Sequence, residues 1–306
     1  MAFKQVLEAY ELLSSPAIDG AGVAGLLRSR GIVDVVVENA RGTVTSTDFV
    51  SCVIPGADPR LPALGIIGRL GGLGARPEVI GLVSDADGAI VALAVALKLA
   101  DMAKAGDVLP GPVRIHTHIC PRAETRPNHP VPMMRSPLPA RAMMQREVHP
   151  DMAAILSVDT SRGNRIVNRR GVALTPVAKE GWILRVPDSL LDLMAWVSGE
   201  LPTTMPLTTQ DITPQENGHA HINSIMQPAT ATSAPVIGVA LTAQSVVPGS
   251  AAGASNAIDI ETATRFCIEV AKRFGVGTCP FYDTAEFDAL VSRYGSMRHL
   301  QTMGDE

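Results

Sequence analysis

The sequence predicts an α/β protein of three layers, with helices on both sides of a mixed, mostly parallel central sheet. Three observations lead there. Short β-branched or apolar runs recur at 32–38, 64–67, 79–83, 113–119, 153–158 and 236–241, and helical patterns are interspersed with them. Residues 79–104 read as a strand, a polar loop and an Ala/Leu-rich helix, the succession that a parallel α/β layer produces. The chain is 46% hydrophobic and 18% charged over 306 residues, enough apolar surface for one shared core.

The elements follow in order. Phe3, Val6, Leu7, Tyr10 and Leu13 keep the i, i+3, i+4, i+7 spacing of an amphipathic helix, which Pro16 stops. A second helix is expected over 21–30, ended by Gly31. Residues 32–38 form a strand, and 42–54 one or two more before Pro55-Gly56. The strand at 64–67 is followed by Gly71-Gly72-Leu73-Gly74. Pro77 and a new apolar run follow these glycines at once, so they read as tight turns and not as a dinucleotide loop opening a helix. No nucleotide cofactor is expected. Strands at 113–119 and 153–158, strand pairs over 171–187, and a helix over 189–198 come next. A polar, turn-rich stretch covers 206–221. A strand at 236–241, a small-residue loop at 250–255 and an amphipathic helix over 259–274 complete the pattern.

Eight prolines lie between Pro110 and Pro139, and five methionines (Met133, Met134, Met143, Met144, Met152) cluster there or just after. Proline donates to neither a ladder nor a helix interior, so about 120–152 is expected to be a loop or extended arm. With no repeat and no low-complexity linker, residues 1–306 read as a single α/β domain. The apolar arm would otherwise expose much surface, which suggests a homo-oligomer.

Net charge is −4 and the basic runs, such as Asn168-Arg169-Arg170, are short. A nucleic-acid partner is therefore not expected. No run reaches 18 uninterrupted apolar residues and the N-terminus lacks a signal-type apolar core, so no membrane span is expected. Four cysteines without CxxC spacing (Cys52, Cys120, Cys267, Cys279) read as reduced thiols in a cytoplasmic protein.

Open α/β sheets bind ligands at strand ends, and the chemically suggestive residues fall there. Asp85 and Asp87 in Ser84-Asp85-Ala86-Asp87-Gly88 can hold a cation, or one of them can cap the following helix. His116-Thr117-His118 puts two imidazoles on one strand face, as metal sites do and as core histidines also do. His219-Ala220-His221 is a second such pair. With Asp159, these residues make a pool of N and O ligands suited to zinc or a similar divalent ion. Cys120 is a soft ligand, a nucleophile or an inert buried thiol; Glu124 and Glu147 are acid–base candidates.

Five segments carry a resemblance to a known family. They are Leu64-Gly65-Ile66-Ile67-Gly68-Arg69-Leu70-Gly71-Gly72, Val83-Ser84-Asp85-Ala86-Asp87-Gly88-Ala89, Thr117-His118-Ile119-Cys120-Pro121, Ser157-Val158-Asp159-Thr160 and Gln210-Asp211-Ile212-Thr213-Pro214. Together they resemble the prokaryotic family known as domain of unknown function 1177, over nearly the whole chain. More distantly, Asp85 with Gly88 and the Ala-rich helix is similar to the metal-bridging Asp loop of co-catalytic zinc aminopeptidases and deacylases, and Ser157-Val158-Asp159 to their strand-borne Asp ligand. This implies a zinc-exopeptidase-like fold. Three positions depart from that pattern. Residues 68–70 hold no His or Asp, Cys120-Pro121 lies near the place of a Glu-Glu pair, and Pro248-Gly249-Ser250 near that of the last His.

The expectation is a metal-dependent hydrolase of an amide or peptide-like small molecule. Asp85, His118, Asp159 and His221 would hold the ion, zinc first. Asp87 or Glu124 would act as base, with Cys120 as the metal-free alternative. The competing expectation is a non-catalytic small-molecule-binding or assembly protein on an aminopeptidase-like scaffold that has lost the standard ligands.

Overall fold

A computed structural model describes all residues except 16, 44, 70–83, 124, 128–132, 135, 162, 245–254 and 303–306. Its helices are α1 (Phe3–Ser14), α2 (Gly20–Ser29), α3 (Asp87–Lys104), α4 (Ala140–Glu147), α5 (Asp188–Ser198), α6 (Ala257–Phe274) and α7 (Thr284–Tyr294). Its strands are β1 (Val35–Arg41), β2 (Ser46–Ile54), β3 (Ala63–Gly68), β4 (Val113–Ile119), β5 (Thr125–Arg126), β6 (Met133–Met134), β7 (Met152–Ser161), β8 (Gly171–Leu174), β9 (Val177–Lys179), β10 (Trp182–Leu184), β11 (Thr203–Thr204) and β12 (Val236–Thr242).

The main sheet runs β1-β2-β4-β3-β7-β12-β8-β11, with β9 and β10 branching from β12. Its centre, β4-β3-β7-β12, is all parallel, while β1, β2 and β8 add antiparallel flanks. The central strands are almost wholly buried, as strands covered on both faces must be, and β3 and β12 are almost entirely apolar. Leu64, Ile66, Ile115, Leu156, Val158, Ile237 and Val239 face a layer of helices in which α3 is central, packed against α1 and α6. The all-round apolar sequence of α3 fits this place, since a helix apolar on every side must be buried on every side. Alternate residues (Ile67, Ile155, Ala240) face the other layer. That layer is thin: α4, with 3₁₀ segments at Thr209–Ile212 and Ser224–Ala231. Small residues on the strand face, Ser157, Ala173 and Gly238 among them, let these segments lie close. Ser157 Oγ donates to the Ile225 carbonyl at 2.6 Å.

Two glycines bring the start of α3 onto the sheet. A Cβ on Gly68 would stand 2.4 Å from the Gly88 carbonyl oxygen. One on Gly88 would stand 2.4 Å from the Val158 oxygen and 2.5 Å from that of Arg69. Alanine favours a helix over glycine by about 1 kcal/mol, but here backbone blocks it. Gly88→Ala is therefore expected to cost at least about 3 kcal/mol in urea unfolding, sterics overriding propensity; a neutral or stabilising effect would contradict this packing.

The structure departs from the expectations in identifiable places. The arm at 120–152 contains a helix: Pro137 and Pro139 stop at its threshold, and Ala-Arg-Ala-Met-Met-Gln-Arg-Glu after them are mostly strong helix formers. β7 continues through Asp159 to Ser161, and β1 starts at Val35. The expected strand at 79–83 and most of the loop at 250–255 lie outside the described residues. Among the described residues, no helix is long and apolar enough to cross a membrane.

Candidate functional site

The parallel register builds the site. Gly68 pairs with Thr117 on one side and Val158 on the other, and Asp159 pairs with Ala240. One residue beyond Gly68, the next row across the sheet is therefore His118, Arg69, Asp159, Ala240. The Arg69 N–H donates to the Val158 carbonyl at 2.8 Å and continues the ladder. Strands lie about 4.8 Å apart, so the backbones of His118 and Asp159 stand about 10 Å apart with Arg69 between them. The row lies at the carboxyl ends of the parallel strands, on the face turned away from α3.

Arg69 is the electrostatic centre of this row. Its Nη1 donates to Glu147 Oε2 at 2.8 Å and approaches Met144 Sδ at 3.3 Å, both on α4. Glu147 is 1% exposed; burial pushes its carboxyl up, and the Arg69 charge opposes that. His118 Nδ1 lies 3.7 Å from Glu147 Oε1. Asp159 is likewise pushed up by burial and drawn back by Arg69. Its Oδ1 accepts from the Thr160 N–H at 2.8 Å and its Oδ2 from Ser224 Oγ at 3.3 Å.

A second group of carboxyls closes in from the α3 side. Ala86 stands at the N-cap of α3, and Asp87 opens its first turn without acting as the cap. Asp87 is buried and accepts from Ser255 Oγ at 2.5 Å. Burial raises its carboxyl well above the ordinary range, and the charges of Asp85, Asp259 and Asp159 raise it further. Asp259, in the first turn of α6, is also raised by burial and lies 3.6 Å from Arg170 Nε.

The sequence candidates fall into place unevenly. Glu147 meets Arg69, the charge of Arg69 acts on His118 and Asp159, and those of Asp85 and Asp159 act on Asp87. His221 does not join them: its Nε2 is 3.1 Å from both Thr213 Oγ1 and the Thr213 carbonyl oxygen, tied into a local turn. Cys120 donates to the Ser46 carbonyl at 3.6 Å, and burial pushes its thiol up to about 11, away from a nucleophile's range. Glu124 lies outside the described residues. Arg69 was missed because it reads as one letter of a glycine-rich turn; its signal is a cation at a strand end, within the 68–70 positions where the aminopeptidase pattern wants a metal ligand.

Among the described residues, no three His, Cys, Asp or Glu side chains are grouped so as to hold a metal ion. The expected zinc set of Asp85, His118, Asp159 and His221 does not assemble. Arg69 stands between His118 and Asp159 in the row, and His221 is engaged elsewhere.

The histidines of β4 give a pH prediction. Burial holds His116 down to about 4, and burial with the Arg69 charge holds His118 down to about 3. Both are neutral in the folded protein, whereas an unfolded histidine protonates near 6.5. The unfolded state therefore takes up more protons below 6.5, and stability is lost as the pH falls from there toward 4. The raised carboxyls act oppositely, since the folded state keeps their protons to higher pH. His116→Asn isolates the histidine. Between pH 7 and 4.5 the wild type is expected to lose about 2 kcal/mol more than this variant in urea unfolding; equal losses would refute the assignment.

Comparisons with known proteins follow the same lines. The family described as "Protein of unknown function (DUF1177)" matches residues 38–304. No curated protein matches. Among solved structures, "Bottromycin maturation enzyme BotP in complex with Mn" is similar at a TM-score of 0.51 and 16% identity, over 88% of this chain and 71% of that one. An M17 aminopeptidase from Trypanosoma brucei is similar at a TM-score of 0.51 and 13% identity, over 88% of this chain. The chain spans 62% of that enzyme's length. These likenesses establish a shared, aminopeptidase-like fold.

Proposed function

We propose that this chain, which belongs to the DUF1177 family, hydrolyses an amide bond in a small peptide-like molecule bound over the row His118, Arg69, Asp159. One observation carries this reading: a permanent cation, Arg69, shares a row with Asp159, a carboxyl held by two hydrogen bonds, and the charge of Asp159 acts in turn on the buried carboxyl of Asp87.

Amide hydrolysis needs an electrophile for the developing oxyanion, a base for water and an acid for the leaving nitrogen. Arginine has five N–H donors, more than its partners among the described residues, Glu147 and Met144, take up, and it keeps its charge. In this scheme Arg69 donates to the carbonyl oxygen as negative charge develops there. Asp159 takes a proton from water as the C–O bond forms. The C–N bond breaks as the nitrogen takes the proton of Asp87. Burial raises both carboxyls; Arg69 opposes the rise at Asp159, while neighbouring carboxylates add to it at Asp87, a difference that suits this division. The aminopeptidase-like fold supports the substrate class. The divalent ion expected from the sequence, zinc first, finds no assembled ligand set among the described residues, and no step here runs through one.

The test is a panel of dipeptides and amino-acid amides, with released amine read by chromatography and binding read by thermal shift. Turnover of at least one member supports the hydrolase. Binding without release of amine from any member would replace it with the second reading, a small-molecule-binding protein. The arginine at 68–70, where the aminopeptidase pattern has a ligand, favours that alternative.

A further inference from the structure

We infer that two copies of this chain pair through the outer edge of β1, antiparallel about a twofold axis at Asn39, so that the main sheet runs on from one protomer into its partner. The inference goes beyond the hydrolase reading and does not depend on turnover. It places the homo-oligomer expected from the sequence at β1 and not at the arm over 120–152.

The backbone comes first. β1 ends the main sheet, and among the described residues β2 is its one strand neighbour. The Val53 N–H donates to the Asp34 carbonyl at 3.1 Å, and the Gly42 N–H to that of Thr45 at 2.8 Å. Residues of an antiparallel strand alternate in direction, so the even-numbered residues turn their N–H and C=O groups to β2 and the odd-numbered ones turn theirs outward. Val35 is already engaged: its N–H donates to the Val33 carbonyl at 3.2 Å, and its carbonyl accepts from Arg28 Nη2 at 2.9 Å. Among the described residues, no hydrogen bond reaches the outward groups of Val37, Asn39 and Arg41. Sheets blunt their edges with short strands, prolines or bulges. The opposite end does so, since β11 has two residues and follows Pro202. β1 has seven residues in unbroken register with β2, contains no proline, and leaves Val36 56% exposed.

A second copy fits this edge by symmetry. An antiparallel pair of identical strands has a twofold axis perpendicular to the sheet. Centred on Asn39, it sets Val37 opposite the partner's Arg41, and Asn39 opposite the partner's Asn39. All three open residues are then paired and Val35 is left to Arg28. Glu38, which accepts from Arg146 Nε at 2.7 Å, faces the partner's Ala40. A centre on Glu38 would instead oppose two carboxylates and need the engaged groups of Val35.

A stable interface buries about 1,200–2,000 Å², so a second element must take part. α2 is in place for it, packed on β1 and β2 with Val23, Ala24 and Leu27 buried. Arg28 reaches the outer carbonyl of Val35, so the side of α2 toward the open edge carries Arg28 and the exposed Gly25 and Ala21 of the preceding turns. The twofold puts both α2 helices on one face of the sheet, and residues this small let them approach. A Cβ on Gly25 meets no atom within 4 Å in the single chain.

The experiment is light scattering of the full chain at micromolar concentration, with circular dichroism to check the fold. Wild type is expected at twice the chain mass of 32.2 kDa. Gly25→Arg, which fills space that only a partner would need, is expected at the single mass. So is Val37→Pro, which removes an outward N–H and leaves the bonds to β2. Oxidation of two further variants tests the axis, since the native cysteines are buried. Asn39→Cys is expected to cross-link to its own copy, because paired Cα atoms about 5.5 Å apart suit a disulfide. Val36→Cys, opposite the partner's Gly42, is not. A monomeric wild type would overturn the inference and leave the edge to an extended segment of another protein. So would a wild-type assembly that Gly25→Arg and Val37→Pro both leave unchanged. Where a variant fails to fold, the cysteine pair decides: cross-linking of Val36→Cys as fast as that of Asn39→Cys, or of neither, contradicts the axis.

Discussion

Asp159→Asn is expected to lower kcat/KM on the best amide substrate by about 10²–10⁴-fold, the usual contribution of a positioned general base. Asparagine keeps the shape, an acceptor oxygen for the Thr160 N–H and an amide N–H that can donate to Ser224 Oγ, the two groups whose distances of 2.8 Å and 3.3 Å fix the carboxylate. The charge and the proton affinity are what it removes. The loss should therefore appear in kcat with KM little changed, and near-UV circular dichroism should match the wild type. A variant that keeps more than half of its turnover would take Asp159 out of the chemistry. A loss confined to KM would make it a binding group.

Arg69→Ala is expected to destabilise the protein by about 3–5 kcal/mol, the cost of leaving one partner of a buried ion pair uncompensated. Glu147 is 1% exposed on its side chain and Arg69 15%, so water does little to screen the pair. Removing both charges with Arg69→Met/Glu147→Leu should recover most of that loss, because well-packed apolar groups serve such a place about as well as the pair. Urea unfolding of both variants at pH 7 checks this. A double variant no more stable than Arg69→Ala would mean that the cost comes from packing around Met144 and not from the orphaned carboxylate.

The parallel centre of the sheet was legible because its chemistry is local. Val113–Ile119 is rich in β-branched residues, Val236–Thr242 is an apolar run, and Asp87–Lys104 is apolar on every side. His118 and Asp159 could be placed at strand ends for the same reason. The site itself depends on register, which no single segment contains. Arg69 becomes a centre only because Gly68 pairs with both Thr117 and Val158. Glu147 reaches it only because α4 forms where the density of prolines suggested an arm. His221 shows the converse, since an HxH pair reads as ligand-like in sequence while Thr213 occupies its ring nitrogen. The thin second layer, made of 3₁₀ segments and α4, has no strong periodicity and left no pattern to read. The helix Thr284–Tyr294 gave no expectation either, and it buries only Phe287.

The most direct measurement is a crystal structure of the full chain with a non-hydrolysable peptide analogue. The account predicts the analogue's carbonyl-equivalent oxygen within hydrogen-bonding distance of Arg69 and beside Asp159, at the carboxyl ends of the parallel strands. An analogue seated away from the row His118, Arg69, Asp159 would contradict it.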